Sequence, residues 1–132
     1  MSDTVLITGG AGFIGAHIAR ALAERGDRVI RGVITNLAGL LLAIRDGGPT
    51  KVVHAAVMND VETLLNNPVQ SFRVIAEGSL NVFEAARLHN LKRVVYASSI
   101  SVYARRQYEP MDENHPQLLT EESPVWFYSP GK

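Results

Sequence analysis

One stretch constrains this chain more than any other: Thr8-Gly9-Gly10-Ala11-Gly12-Phe13-Ile14-Gly15. It follows Thr4-Val5-Leu6-Ile7-Thr8, a short apolar, β-branched run that stops at glycine as a buried parallel strand does. Beyond it, Ile14, Ile18, Ala21 and Leu22 recur at helical spacing over residues 13–25, and Gly26 stands where a helix C-terminus is expected. The stretch satisfies both G-x-G-x-x-G, from Gly10, and G-x-x-G-x-x-G, from Gly9. Glycines there permit a tight turn and let main chain approach a pyrophosphate, while free N–H groups and the helix dipole attract phosphates. The pattern alone is also met by glycine turns that only pack. Between a strand and a helix it predicts a dinucleotide site built on Gly9, Gly10, Gly12, Phe13, Ile14 and Gly15.

The remainder continues the alternation. A second strand is predicted over residues 28–34, then a helix over 37–46, capped by Thr35 or Asn36 and stopped by Gly47-Gly48-Pro49. Residues 51–55 read as a strand, and a long helical segment after Pro68 places Phe72, Ala76, Leu80 and Phe83 along one stripe. Residues 92–98 read as another strand. Past Tyr103, Pro110, Pro116 and Pro124 predict an irregular loop up to a helix start at Tyr128. Alternating strands and helices imply an α/β fold, a doubly wound parallel sheet with right-handed crossovers.

Composition limits the function classes. The 132 residues, 46% hydrophobic and 20% charged, suit one globular domain spanning 1–132. Thirteen basic residues balance thirteen acidic ones, so nothing in the net charge draws nucleic acid or an anionic membrane. There is no cysteine, which excludes disulfides, cysteine-ligated zinc and a thiol nucleophile, and fits the cytoplasm. The longest apolar run, 37–44, is far short of the roughly 20 residues of a membrane helix, so a soluble protein is expected. His17, His89 and His115 show no ligand spacing, and no metal is predicted. His54 ends a strand and reads as a packed, hydrogen-bonded histidine beside the glycine turn. Lys92-Arg93 and Arg105-Arg106 read as solvated charge.

Two features suggest chemistry. Ser98 and Ser99 lie at a strand's carboxyl end, where doubly wound sheets bind ligands, so Ser99 is placed to face a substrate. Tyr128 and Lys132 are four apart, which stacks them on one face of a helix; a nearby ammonium favours phenolate and makes the tyrosine a general acid/base.

The motifs T-G-G-A-G-F-I-G, His54-Ala55-Ala56, Gly78-Ser79-Leu80-Asn81-Val82, S-S-x-x-V-Y ending at Tyr103, and Y-x-x-x-K ending at Lys132 stand in a particular order. In that order the chain resembles the front half of the extended short-chain dehydrogenase/reductases of the NAD-dependent epimerase/dehydratase family, over nearly its whole length. The resemblance implies a Rossmann-like domain with NAD or NADP as cofactor, and Ala55, Ala56, Ser98, Tyr128 and Lys132 joining the glycines around it. It implies Ser99 as the serine that hydrogen-bonds a substrate hydroxyl, Tyr128 as the acid/base, and Lys132 as its partner and holder of the nicotinamide ribose. It also implies hydride transfer from a nucleotide sugar or similar carbinol, followed by epimerisation, dehydration or reduction, and a homodimer.

The sequence departs from that pattern in four places. The acid expected at the end of the second strand is missing from Gly32-Val33-Ile34-Thr35-Asn36. Arg31 to Asn36 resembles instead the family's third strand and its Gly-Asp-x-Thr-Asp motif, with Val33 where an Asp belongs, as if two strands were fused and an edge strand of the order 3-2-1-4-5 lost. Ile75 replaces a family Asn that helps anchor the active site. The chain stops at Lys132, without further turns to hold Tyr128 against it and without the family's substrate-closing C-terminal half. Two alternatives to a working enzyme follow: a dinucleotide-binding or interaction module that has lost catalysis, and a fragment that needs its missing half.

Overall fold

The computed structural model describes residues 2–103, 105–117 and 132. The chain runs β1 (Thr4–Thr8), α1 (Phe13–Glu24), β2 (Arg28–Gly32), α2 (Leu37–Gly47), β3 (Lys51–His54) and α3 (Val61–Asn66). Then α4 (Pro68–Phe72), a π-helical turn (Arg73–Glu77) and α5 (Gly78–Leu88) follow without a break, before β4 (Arg93–Tyr96) and a 3-10 turn (Ile100–Tyr103). All strand pairs are parallel, in the order β2-β1-β3-β4. This is the expected doubly wound sheet without the outermost strand beside β2. The chain passes from β2 across β1 to β3, so the winding reverses between β1 and β3, and a crevice opens at their carboxyl ends.

Alternation along the strands sorts the two faces. Leu6 and Val52, paired across β1 and β3, pack with Leu40 and Ile44 of α2, Val82 and Ala85 of α5, and Ile34. Leu6, Leu40 and Val52 are wholly inaccessible, and each such side chain stabilises the fold by roughly 1.5–3 kcal/mol relative to exposure. Val5 and Ile7, also buried, point to the opposite face, towards α1.

Three expectations need correction. β2 ends at Gly32 rather than at 34, because Ile34 turns into the core and Asn36 caps α2. α1 meets the sheet through Gly15, with Ile18 and Leu22 half-buried, while Ile14 is 58% exposed. The stripe Phe72, Ala76, Leu80 and Phe83 is not the core face: Leu80 is 65% exposed, and the buried positions are Ser71, Ile75, Ser79 and Val82, one residue earlier. Small residues and hydroxyls face inward because the helix lies close to the sheet and bonds to it. Helix α3, which the sequence pattern did not announce, starts at Asp60, whose carboxylate accepts from Thr63 N–H at 2.8 Å.

Asn36 caps α2 by accepting from Gly39 N–H at 3.0 Å, and Gly48 closes the helix with φ +60°. Asn36→Ala is expected to lower stability by about 1 kcal/mol, read as a shift of the urea midpoint at unchanged slope.

The loop of residues 105–117 has no helix or strand, as expected. Its centre is buried His115, which accepts from Gln107 N–H at Nε2 (2.9 Å) and packs against the rings of Tyr103 and Tyr108. Among the described residues no helix is long and apolar enough to cross a membrane.

Candidate functional site

The crevice at the switch point has a volume of about 490 Å³ and is lined by Gly9, Gly12, Phe13, Ile14 and Gly15 after β1, Gly32 to Ile34 after β2, and Ala55, Ala56, Val57 and Asn59 after β3. Gly10 lies just beneath, buried under Ile7 and the stem of Arg31. Of the described lining residues none is charged. What the site offers an anion is main chain. α1 begins with Ala16 N–H bonded to Gly12 O at 2.9 Å and has no side-chain cap, so its first amides and dipole stand at the crevice.

The glycines are there for measurable reasons. Gly9 adopts φ +72°, and a Cβ on it would lie 2.6 Å from the backbone N and Cα of Ala56. A Cβ on Gly15 would run into the Gly9 carbonyl. The turn after β1 therefore rests directly on the strand-end segment after β3, and α1 rests on the turn. Those are the close approaches a pyrophosphate cradle requires, and the residues present fit a dinucleotide.

Beneath the crevice a buried polar chain fixes its floor. Thr8 Oγ1 and His54 Nδ1 are 2.6 Å apart, His54 Nε2 and Ser79 Oγ 3.0 Å, and Ser79 Oγ donates to Ile75 O at 2.5 Å. Ser79 has one proton and gives it to that carbonyl, so His54 must donate from Nε2, and its Nδ1 accepts from Thr8. Thr8 Oγ1 in turn accepts from Ala56 N–H at 3.4 Å. The tautomer is assigned by the network. His54 and Thr8 are 0% exposed; burial, reinforced by the Lys132 ammonium, pushes the imidazole down to about 4. His54 also stacks on Tyr96 with ring centroids 5.1 Å apart. It is the packed, bonded histidine expected.

Gly78-Ser79-Leu80-Asn81-Val82 ties the other wall down. A Cβ on Gly78 would lie 2.7 Å from Ile34 Cδ1, and Asn81 Nδ2 donates to Ile34 O at 2.8 Å. The segment with Val33, which is 69% exposed on the crevice, is thus anchored through its neighbour. Ile75, in the π-helical turn, is buried with Leu64 beside Val57 and Met58. Thr8, Ser79 and Asn81 were not singled out in sequence. Thr8 reads as one more β-branched strand residue, and only the glycine-serine-asparagine motif offered a signal for the other two.

At the end of β4, Ser98 Oγ donates to Lys132 O at 3.1 Å, and Lys132 Nζ donates to Ala97 O at 2.5 Å while lying 5.3 Å from the Tyr96 ring centroid. Burial holds the Lys132 ammonium below the ordinary lysine range. Ser99 is half-buried, its Oγ accepting from Ser101 N–H at 3.2 Å and lying 3.1 Å from Ser101 Oγ. The fold therefore gathers Ser98 and Lys132 at the β4 end, with Ser99 next in the chain. Tyr128 lies outside the described residues. Among the described residues no group of three or more His, Asp or Glu is arranged to hold a metal.

Residues 5–132 match the family described as NAD dependent epimerase/dehydratase. UDP-glucose 4-epimerase of Bos taurus is 30% identical over 88% of this chain and 43% of its own length. A putative UDP-glucose 4-epimerase of Methanocaldococcus jannaschii is 34% identical over 85% of this chain and 43% of its own. The crystal structure of Thermus thermophilus UDP-glucose 4-epimerase in complex with NAD superimposes with a TM-score of 0.81 at 28% identity, covering 97% of this chain and 48% of that one. The chain spans less than half the length of the curated relatives it matches.

Proposed function

Because the chain belongs to the NAD dependent epimerase/dehydratase family, we propose that it is the NAD(P)-binding Rossmann-like part of a nucleotide-sugar epimerase, dehydratase or reductase. The observation that carries this reading is the crevice at the β1/β3 switch point, walled by main chain at Gly9 and Ala56 and open to the uncapped N-terminus of α1. In this reading Gly9, Gly10, Gly12, Phe13, Ile14 and Gly15 hold the pyrophosphate, and Ala55, Ala56 and Ser98 flank the nicotinamide side. A nicotinamide held there would supply the acceptor for a hydride from a carbinol carbon. Ser99 positions the substrate hydroxyl by a hydrogen bond. Tyr128 takes that hydroxyl's proton, and Lys132 favours its phenolate and holds the ribose. The meeting of Lys132 with Ser98 and Ala97 supports this grouping.

The chain is under half the length of its relatives, so we assign binding to these residues and turnover to the protein that carries the rest of such a chain. The reading includes a homodimer and, for a chain without cysteine, a cytoplasmic location.

Titration calorimetry with NAD and NADP tests the reading, using Gly12→Val as the control. Among the described residues a Cβ at Gly12 meets only Gly9 O, at 3.3 Å, so the variant is expected to fold while its side chain enters the crevice. The expected result is binding of at least one dinucleotide, weakened about tenfold or more by the substitution, which is about 1.4 kcal/mol. A folded chain that binds neither, or a variant that binds as well as its parent, sinks the proposal.

A further inference from the structure

The family relation leaves open which dinucleotide the site takes, and the adenosine side of the crevice carries an answer. Residues 28–45 contain three arginines, Arg28, Arg31 and Arg45, and no carboxylate. Two of the arginines are engaged: Arg28 donates to Gly47 O at 3.2 Å, and Arg45 pairs with Asp46 at 2.7 Å. Arg31 is exposed and makes no hydrogen bond or ion pair among the described residues. It stands beside Ile7 in the register of β1 and β2, next to Gly32, which lines the crevice. Its stem lies over the glycine turn, with Cγ 3.7 Å and Cδ 3.9 Å from where a Cβ on Gly10 would be.

A ribose 2′-hydroxyl is recognised by an acidic acceptor at the end of the second strand, and a 2′-phosphate by an arginine there. In this chain the acceptor is missing, since Val33 occupies the exposed position after β2, and the arginine is present. A dianionic phosphate beside the turn would meet a guanidinium with unused donors and the positive end of α1, with no carboxylate from 28–45 to repel it. The unphosphorylated ribose would find no carboxylate from 28–45 in exchange for its water.

We infer that Arg31 is a specificity-determining residue that makes this crevice select a 2′-phosphorylated adenosine dinucleotide, NADP, over NAD. This rests on the crevice being a dinucleotide site. ADP-ribose and its 2′-phosphate differ only in the group at issue, so calorimetric titration of the chain with each measures the selection directly. The 2′-phosphate is expected to bind tighter by about tenfold or more at low ionic strength, with the advantage shrinking as salt is added. Arg31→Gln keeps a stem over Gly10 and removes the charge, and is expected to bring the ratio close to one with little change for ADP-ribose. Arg31→Lys is expected to keep part of the preference. Equal binding of the two probes, or a preference that survives Arg31→Gln, overturns the assignment of Arg31 and leaves the dinucleotide site standing. Failure of both probes to bind a folded chain overturns the two together.

Discussion

Gly9→Val is expected to lower the unfolding free energy by about 3–5 kcal/mol and to remove dinucleotide binding. Two costs add. A β-branched residue at φ +72° carries backbone strain of roughly 1–2 kcal/mol. The new Cβ would also stand 2.6 Å from backbone atoms of Ala56, which cannot rotate away as a side chain can, and relieving that overlap means separating the ends of β1 and β3. Gly48 separates the two costs. It has φ +60° and, among the described residues, nothing within 4 Å of the place a Cβ would take, so Gly48→Ala carries the strain alone, about 1 kcal/mol. Urea midpoints of the two variants check the comparison. If Gly9→Val proves no worse than Gly48→Ala, the contact between the glycine turn and the β3 end is not what sets the crevice floor.

That contact also shows how much of this protein is legible in its residues. The glycine turn and its place between a strand and a helix are visible in sequence because every requirement there is local: a turn, a positive φ, a helix start. The parallel sheet with its crossovers follows from alternation, while the strand order comes only with the family resemblance. The inward face of the long helical segment is not visible, since the apolar stripe runs through Phe72, Ala76, Leu80 and Phe83 while the buried face carries Ser71 and Ser79. What reverses them is tertiary: the His54 ring, delivered by a strand 25 positions away, needs the Ser79 hydroxyl, and Ile34 needs the space that Gly78 leaves. Arg31 has the same origin. Its type is plain in the sequence, but its meaning depends on β2 ending beside the glycine turn with no acid following it.

Stability should fall steeply with acid because of His54, and that fall should disappear when the imidazole is removed. The native ring is held neutral to about 4, whereas an unfolded histidine titrates near 6.5. Above the unfolded value neither state binds the proton and the group adds no pH dependence. As pH drops from about 6.5 towards 4 the unfolded chain takes up a proton that the native chain refuses, at a cost approaching about 1.4 kcal/mol per unit. The loss by pH 4 is on the order of 3 kcal/mol. The carboxylates of Asp3, Asp27, Asp60 and Asp112 are held below their ordinary value by their hydrogen bonds, so their contribution is lost only as pH falls further. The interval from about pH 6.5 to 5 lies above the carboxylate range, and there the parent is compared with a His54 variant. His54→Gln is expected to cost about 2–4 kcal/mol at pH 7, because Thr8 and Ser79 lose well-placed partners in a buried site. In that interval its urea midpoint should decline much less than the parent's. An equal decline in both would mean that Thr8 and Ser79 do not enforce the neutral tautomer, and that the floor under Ala56 is held by packing alone.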